Sequence, residues 1–258
     1  MRLHLQLCYQ GTHYHGWQIQ NPTHALQTIQ GCVERAFLRL TGKHLRITGA
    51  GRTDSGVHAL CQHAHCDLPP GIIRRWREGL NAYLPEDIRI ISAEPCAPTF
   101  HARFDAIDKT YFYSFWTETA FVPPQRAKYV WPCGRLDATR MQRALKFILG
   151  EHDFASLQNK GSDVQSSIRT IYEAKLRFST LPYLSHAPEI CLQITANGFL
   201  KQMVRNLAGL LVKVGQGKLM AESIAEILEA KDRSKNPWPT APAKGLTLAN
   251  VSYRAGCL

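Results

Sequence analysis

The chain has 258 residues, of which 45% are hydrophobic, so it can bury a substantial core and need not be disordered. Lys and Arg number 31 against 20 Asp and Glu, and the resulting charge of +11 favours a polyanionic partner such as nucleic acid. No stretch approaches the ~18 apolar residues of a membrane helix, the start lacks the apolar core of a signal peptide, and eight scattered Cys are typical of reduced thiols. We therefore expect a soluble cytoplasmic protein.

The first half of the chain mixes strand and helix patterns. Residues 3–9 alternate as a half-buried strand does, and 25–40 carry apolar residues at helical spacing. A short strand is predicted at 46–48, leading into a Gly-rich segment at 49–56. Further strands are predicted at 58–67 and 88–95, with a helix at 72–82 between them.

The second half repeats this mixture. Strands are predicted at 109–117, 168–178, 189–196 and 247–253, and helices at about 137–150, 198–214 and 221–230. Asp137 is the expected N-cap of the first of these helices. Because the strands do not alternate regularly with helices, the pattern favours an α+β fold of two similar halves, each a mixed or antiparallel sheet flanked by helices. We expect domains at 1–104 and 105–258.

The segment GAGRTDSGVHAL at 49–60 is the most informative part of the chain. Three glycines surround Arg52 and Asp54, so the backbone can turn tightly and approach a ligand closely. The arginine suits an anionic substrate, while the carboxylate can act as nucleophile or base. An ordinary β-turn remains the alternative.

Five residues of two metal-binding types lie close together from the end of this segment onward: His58, Cys61, His63, His65 and Cys66. On a strand, Cys66 points away from Cys61, His63 and His65, and no compact CxxC pair completes a tetrahedral site. We therefore expect no metal here.

Several ordered blocks resemble the bacterial tRNA pseudouridine synthase A (TruA) family. GRTDSGVHA at 51–59 is similar to the active-site signature of that family, and YQGTHYHGWQIQ at 9–20 to its N-terminal segment. FHARF at 100–104, KTYFY at 109–113, GEHDFAS at 150–156, NGFLKQMVRNLAGLLVKVG at 197–215 and APAKGLTL at 241–248 follow in the expected order. Two parts depart from the pattern: Gln10 stands where the family usually has an acidic residue, and 158–168 match nothing.

The resemblance implies an enzyme that detaches uracil from C1′ of a tRNA uridine and rejoins it through C5, without a cofactor. Asp54 matches the family's catalytic carboxylate, which attacks C1′ or removes a proton from C2′; the sequence does not choose between these routes. Tyr111 matches the tyrosine that stacks on the target base, although such rings are often core residues. Leu246 matches an apolar position beneath the base.

Arg205 matches the arginine that pairs with the catalytic carboxylate. At 100° per residue it lies about 165° from the apolar stripe of its helix. Its neighbours on that face, Ala208, Gly209 and Val212, are small, so we expect this face to line a cleft.

The resemblance also implies an active-site cleft between the two halves, tRNA contacts and a homodimer. Arg52 matches the residue that displaces the target nucleotide, Lys109 is a phosphate-contact candidate, and the FHARF block supplies tRNA contacts at Phe100, His101, Ala102, Arg103 and Phe104. The implied targets are uridines 38, 39 and 40 of the anticodon stem-loop.

Three other hypotheses remain: a non-catalytic tRNA-binding or tRNA-folding protein, a zinc-dependent nucleic-acid enzyme, and a synthase for another RNA site. Retention of Asp54, Arg52, Tyr111 and Arg205 argues against the first of them.

Overall fold

A computed structural model describes residues 1–20, 26–69, 75–159, 161, 165–180 and 186–254. The chain forms two compact units, one of Met1–Lys109 with the C-terminal segment from Thr247, the other of Thr110–Leu246. The expected division at residue 104 placed the C-terminal strand in the second half, whereas the structure places it in the first unit. No helix in the described ranges is long and apolar enough to cross a membrane.

The first unit contains four strands and two helices before its exit to the second: β1 (Arg2–Tyr9), α1 (Ile29–Thr41), β2 (Thr48–Gly49), β3 (His58–Asp67), α2 (Trp76–Tyr83) and β4 (Ile88–Cys96). β1 lies between β4 and β3 and is antiparallel to both, and β2 pairs with β3. The last strand of the chain, β10 (Leu246–Tyr253), runs parallel to β3 through the pairs Thr247–His58 and Leu248–Ala59.

The core of this unit follows from the alternation of β1. Leu3, Leu5 and Leu7 are fully buried, as are Val33 and Phe37 of α1. Burying each such side chain contributes about 2 kcal/mol.

Helix α1 begins later than predicted. The side chain of Thr28 accepts a hydrogen bond from Gly31 N and caps the helix, so Ile29 is its first residue. Leu26, assigned to the helix by periodicity, precedes this cap and is exposed, while Ala25 lies outside the described residues. The helix predicted over 72–82 begins at Trp76, and residues 72–74 of that range are also outside the described part.

The second unit contains the remaining elements: β5 (Ala106–Trp116, which starts in the first unit), α3 (Pro124–Ala127), β6 (Trp131–Pro132), α4 (Ala138–Leu145), β7 (Gly150–Asp153), β8 (Ile168–Ser179), β9 (Glu189–Ala196), α5 (Met203–Gly215) and α6 (Ser223–Glu229). Its strands follow the order β5-β9-β8-β7, and β6 pairs with β5 in parallel. Both units thus combine largely antiparallel strands with helices, which confirms the α+β class.

Two helix predictions in this unit were too long. Asp137 caps α4 as expected, by accepting from Arg140 N, but the α-helix ends at Leu145 and Gly150 begins a strand that pairs with β8. Helix α5 begins at Met203 instead of Gly198 because Gln202 adopts a left-handed conformation with φ +62°. Periodicity does not reveal such local backbone reversals.

Candidate active site

The segment that carries Asp54 is fixed through its neighbour Thr53. Thr53 is buried, its hydroxyl lies 2.9 Å from the hydroxyl of Tyr9, and its carbonyl accepts from Trp17 N at 3.0 Å. Asp54 is half-buried and Arg52 is exposed. The buried threonine therefore anchors the loop while the acidic and basic side chains on either side of it retain exposed surface.

Two glycines of the N-terminal segment allow that segment to lie against the loop. A Cβ on Gly11 would come within 1.9 Å of the carbonyl oxygen of Val57, and one on Gly16 within 2.6 Å of that of Thr53. Gly16 also has φ +85°, a conformation that favours glycine. The blocks at 9–20 and 51–59 thus pack directly against each other, so the sequence of each constrains the other.

The other end of the loop is held by strand β3 and by a lysine. Ala50 N donates to the carbonyl of His63 at 2.7 Å, and the buried Gln62 donates from Nε2 to Gly51 O at 2.9 Å. Lys109 donates from Nζ to Ala50 O at 2.8 Å. The lysine ammonium therefore lies beside the loop and adds positive charge there, as suits an anionic substrate.

The His and Cys cluster of β3 supports neighbouring segments through hydrogen bonds. His63 Nε2 lies 3.2 Å from Cys61 Sγ, and its Nδ1 lies 2.8 Å from His4 Nε2. His58 Nδ1 accepts from Gly11 N at 3.0 Å, and His65 Nδ1 from the backbone N of residue 102 at 3.1 Å. Within the ranges that the structure describes, no three His, Cys, Asp or Glu residues are placed to hold a metal ion.

Burial keeps these imidazoles neutral. Removal from water lowers the pKa of His4, His63 and His65 to about 4, because a charged ring would lose its hydration. Neutral imidazole retains one acceptor nitrogen, and His65 uses it to hold the loop at 100–104. His58 and His65 therefore support the N-terminal segment and the loop at 100–104 through their ring nitrogens.

The FHARF block forms a loop with a buried base and an exposed tip. Phe100 and Ala102 are buried, whereas Arg103 is exposed and 73% of the Phe104 side-chain surface is accessible. The Phe104 ring stacks on His101 at 4.2 Å, and the Arg103 guanidinium lies 5.6 Å from the Phe104 centroid. An aromatic surface with an adjacent cation is a suitable platform for a nucleotide.

In the second unit, Arg205 is held by an extended segment before β10. Its Nε donates to Ala241 O at 2.8 Å, and its own carbonyl accepts from Ala241 N at 3.1 Å. Every residue of α5 is buried except Arg205 and Lys213, so the arginine stands out from an otherwise buried helix.

The small residues beside Arg205 do not line a cleft, and that prediction was wrong. Ala208, Gly209 and Val212 are all buried. A Cβ on Gly209 would lie 2.5 Å from the carbonyl oxygen of Pro239. The absence of a side chain at Gly209 therefore lets the backbone at Pro239 approach the helix closely.

Tyr111 and Leu246 are both nearly buried within the second unit, with 8% and 6% of their surfaces accessible. The ring of Tyr111 packs edge-to-face on Phe199 at a centroid distance of 5.1 Å. Two residues along β5, Tyr113 donates from its hydroxyl to Pro242 O at 2.8 Å. The segment that ends at Leu246 thus contacts Arg205 through Ala241 and the strand of Tyr111 through Pro242.

Comparison with known proteins identifies the class. The family model described as tRNA pseudouridine synthase matches residues 8–105 and 144–254, and the chain belongs to this family. Its members are isomerases, and this chain is an enzyme that converts uridine to pseudouridine in tRNA.

Three relatives share the name tRNA pseudouridine synthase A. The protein from Maridesulfovibrio salexigens is 45% identical over 258 residues, covering 99% of this chain and 92% of the relative. That from Lawsonia intracellularis is 46% identical over 255 residues, with 98% and 99% covered. A more distant relative from Neisseria gonorrhoeae is 38% identical over 250 residues, with 96% and 91% covered.

Sequence reasoning missed the residues that hold the site. Thr53 lies inside the recognised signature but was not singled out, and Asn206 and Thr240 were not considered. Each is a neutral polar residue with no obvious catalytic chemistry, and its hydrogen-bond partner is distant in sequence. Only the burial of Asn206 within an apolar helix offered a signal, since a polar residue there needs a partner.

Proposed function

We propose that this enzyme modifies uridines 38, 39 and 40 of the tRNA anticodon stem-loop, with Asp54 as its catalytic carboxylate. The observation that carries the proposal is the presentation of Asp54 on a loop anchored by the buried Thr53. The exposed Arg52 belongs to the same loop, and the Lys109 ammonium binds its Ala50 carbonyl. Such anchoring holds a reactive carboxylate in place without enclosing it, as chemistry on a polymeric substrate requires.

The reaction conserves all atoms. The bond between N1 and C1′ breaks, a bond between C5 and C1′ forms, C5 loses its proton and N1 gains one. Asp54 begins it either by attacking C1′ as a nucleophile or by removing the C2′ proton. No oxidant, metal or energy source is needed for this balance.

The second unit supplies the groups proposed to handle the base. Tyr111 stacks on the extruded uracil and assists removal of the C5 proton, and Leu246 packs beneath the ring. Arg205 is proposed to pair with the Asp54 carboxylate during the reaction. Support for these roles comes from the matched motif positions. It also comes from segment 241–246, which contains Leu246 and binds both Arg205 and the strand of Tyr111.

Contacts to the tRNA backbone fall to exposed cationic and aromatic residues. Arg52 displaces the target nucleotide, and Lys109 contacts phosphate. In the loop at 100–104, His101, Arg103 and Phe104 face the RNA, while the buried Phe100 and Ala102 hold the loop in shape. The active form is proposed to be a cytoplasmic homodimer in which one tRNA contacts both subunits.

Release of tritium from C5-labelled uridine in unmodified tRNA tests the proposal. We expect release by the wild type and none by Asp54→Asn, with tRNA binding retained because the carboxylate acts on the sugar. Glu78→Gln is the matched control, since Glu78 is an exposed carboxylate of the same unit in an ion pair with its neighbour Arg77. It should release tritium at the wild-type rate.

Tritium release from tRNA transcripts that carry a single target uridine, at 38, 39 or 40, shows which of these positions the enzyme modifies. Release from none of these, together with release from bulk tRNA, would contradict the anticodon assignment and indicate another tRNA site. Tight tRNA binding without release from any RNA would favour the binding-only alternative.

A further inference from the structure

The segment 239–241 lies directly against helix α5. The carbonyl of Pro239 approaches Gly209 so closely that a Cβ there would be 2.5 Å away. Two residues later, Ala241 N donates to the carbonyl of Arg205 at 3.1 Å. The extended segment and the helix are therefore held together in a fixed register at the turn that carries Arg205.

Arg205 and Ala241 are joined a second time through the arginine side chain. Arg205 Nε donates to Ala241 O at 2.8 Å, so the same two residues exchange one main-chain and one side-chain hydrogen bond. An arginine side chain has four flexible torsions. Its planar guanidinium can bind a carboxylate through two N–H groups only when the orientation of that plane is fixed. The Ala241 carbonyl sets that plane by accepting from Nε.

A buried amide holds the segment in this position. Asn206, next to Arg205, is 1% exposed, and its Oδ1 accepts from Thr240 Oγ1 at 2.6 Å. Its Nδ2 donates to Leu157 O at 2.7 Å and to Asn159 Oδ1 at 2.9 Å. Because both amide hydrogens and the amide oxygen are engaged, Asn206 joins three chain segments at one point.

We propose that Thr240 and Asn206 are positioning residues for catalysis, which act by fixing the Ala241 carbonyl that orients the Arg205 guanidinium. They do not touch the RNA. This inference rests on the catalytic role of Arg205 proposed above. Loss of the Thr240 hydroxyl removes the partner of a buried oxygen, releases the segment from the helix, and lets the guanidinium adopt other orientations.

Three valine and serine variants test this idea under single-turnover conditions with saturating enzyme. Thr240→Val should lower the rate constant of pseudouridine formation about tenfold or more with little change in tRNA affinity, since misplacing a catalytic group slows the chemical step. Thr240→Ser keeps the hydroxyl and should restore the rate to within about twofold. Thr117→Val is the matched control: it removes a hydroxyl that donates to Pro188 O at 3.0 Å elsewhere in the unit, and should leave the rate constant unchanged.

Combining Thr240→Val with Arg205→Lys distinguishes positioning from a structural effect. If Thr240 acts through Arg205, the two losses do not multiply, and the double variant is about as slow as Arg205→Lys alone. The positioning role would be overturned if the two reductions in rate constant multiplied in the double variant. It would also be overturned if Thr240→Val were less stable but reacted at the wild-type rate when folded. Either result would leave the catalytic role of Arg205 standing. A wild-type rate for Arg205→Lys and Arg205→Met would overturn both proposals.

Discussion

Replacing Gly16 by alanine tests whether the N-terminal segment holds the Asp54 loop in place. Gly16 has φ +85°, and a Cβ there would lie 2.6 Å from the carbonyl oxygen of Thr53. That carbonyl accepts from Trp17 N, so the added methyl group presses on the hydrogen bond that anchors the residue before Asp54. We expect Gly16→Ala to shift the loop and lower both stability and turnover.

Gly42→Ala is a matched control that measures the cost of a left-handed backbone conformation alone. Gly42 ends helix α1 with φ +71°, and nothing lies within 4 Å of the position that its Cβ would occupy. A left-handed non-glycine residue costs about 1–2 kcal/mol at either site. The contact with Thr53 adds about 1–3 kcal/mol of overpacking at Gly16 alone. The free energy of unfolding should therefore fall by about 1–2 kcal/mol for Gly42→Ala and about 2–5 kcal/mol for Gly16→Ala.

Urea unfolding and single-turnover kinetics measure the two effects. The rate constant of pseudouridine formation should drop at least about tenfold in Gly16→Ala, because small displacements of a reacting group are costly, and stay unchanged in Gly42→Ala. If both variants lose the same stability and both keep the wild-type rate constant, the close approach does not position Asp54 and the reasoning is refuted.

Three further predictions follow from the same structure. Burial lowers the pKa of His65 from its ordinary 6.5 to about 4, so between these pH values the unfolded chain binds more protons than the folded one. The contribution of neutral His65 to stability is present above pH 6.5 and lost as the pH falls towards 4. After allowance for solvent screening, urea unfolding of His65→Gln should show an acid loss of stability about 1–2 kcal/mol smaller than that of the wild type. Arg103→Ala should reduce the salt slope of tRNA binding by about one, whereas Arg77→Ala, whose guanidinium already pairs with a neighbouring carboxylate, should not. Gly245→Ala should lower the free energy of unfolding by about 1–3 kcal/mol, because its Cβ would lie 2.6 Å from the Tyr113 ring; an unchanged midpoint in urea would contradict that packing.

The elements with a clear period were predictable from sequence, and those set by tertiary contacts were not. Strands β3 and β9 have the predicted bounds, since their side chains and flanking turn residues are unambiguous. The helix predicted to run to about residue 150 ends earlier, and no strand was predicted at Gly150–Asp153, because this segment acquires its conformation by pairing with β8. The left-handed Gln202 is likewise stabilised from outside, by a hydrogen bond from the side chain of Asn159.

The same distinction applies to the site. Asp54 and Arg52 could be chosen from sequence because glycines and charged residues stand together in one short loop. The side-chain bond of Arg205 could not, since its partner is a backbone carbonyl 36 residues away and every residue has one. Helical geometry correctly separated Arg205 from the apolar stripe but does not show that segment 239–241 covers the small residues beside it.

The arrangement around Asp54 explains why glycine recurs in the N-terminal block at 9–20. A carboxylate that reacts with a polymer must be reachable, so it cannot be fixed by burying its own side chain. The loop is fixed through backbone atoms instead, and backbone can approach backbone only where a Cβ is missing, as at Gly11 and Gly16. Because each glycine lies opposite a particular loop carbonyl, those of Val57 and Thr53, the two blocks are constrained together. A substitution at either glycine should therefore impair the Asp54 loop even though neither residue has a side chain that touches the substrate.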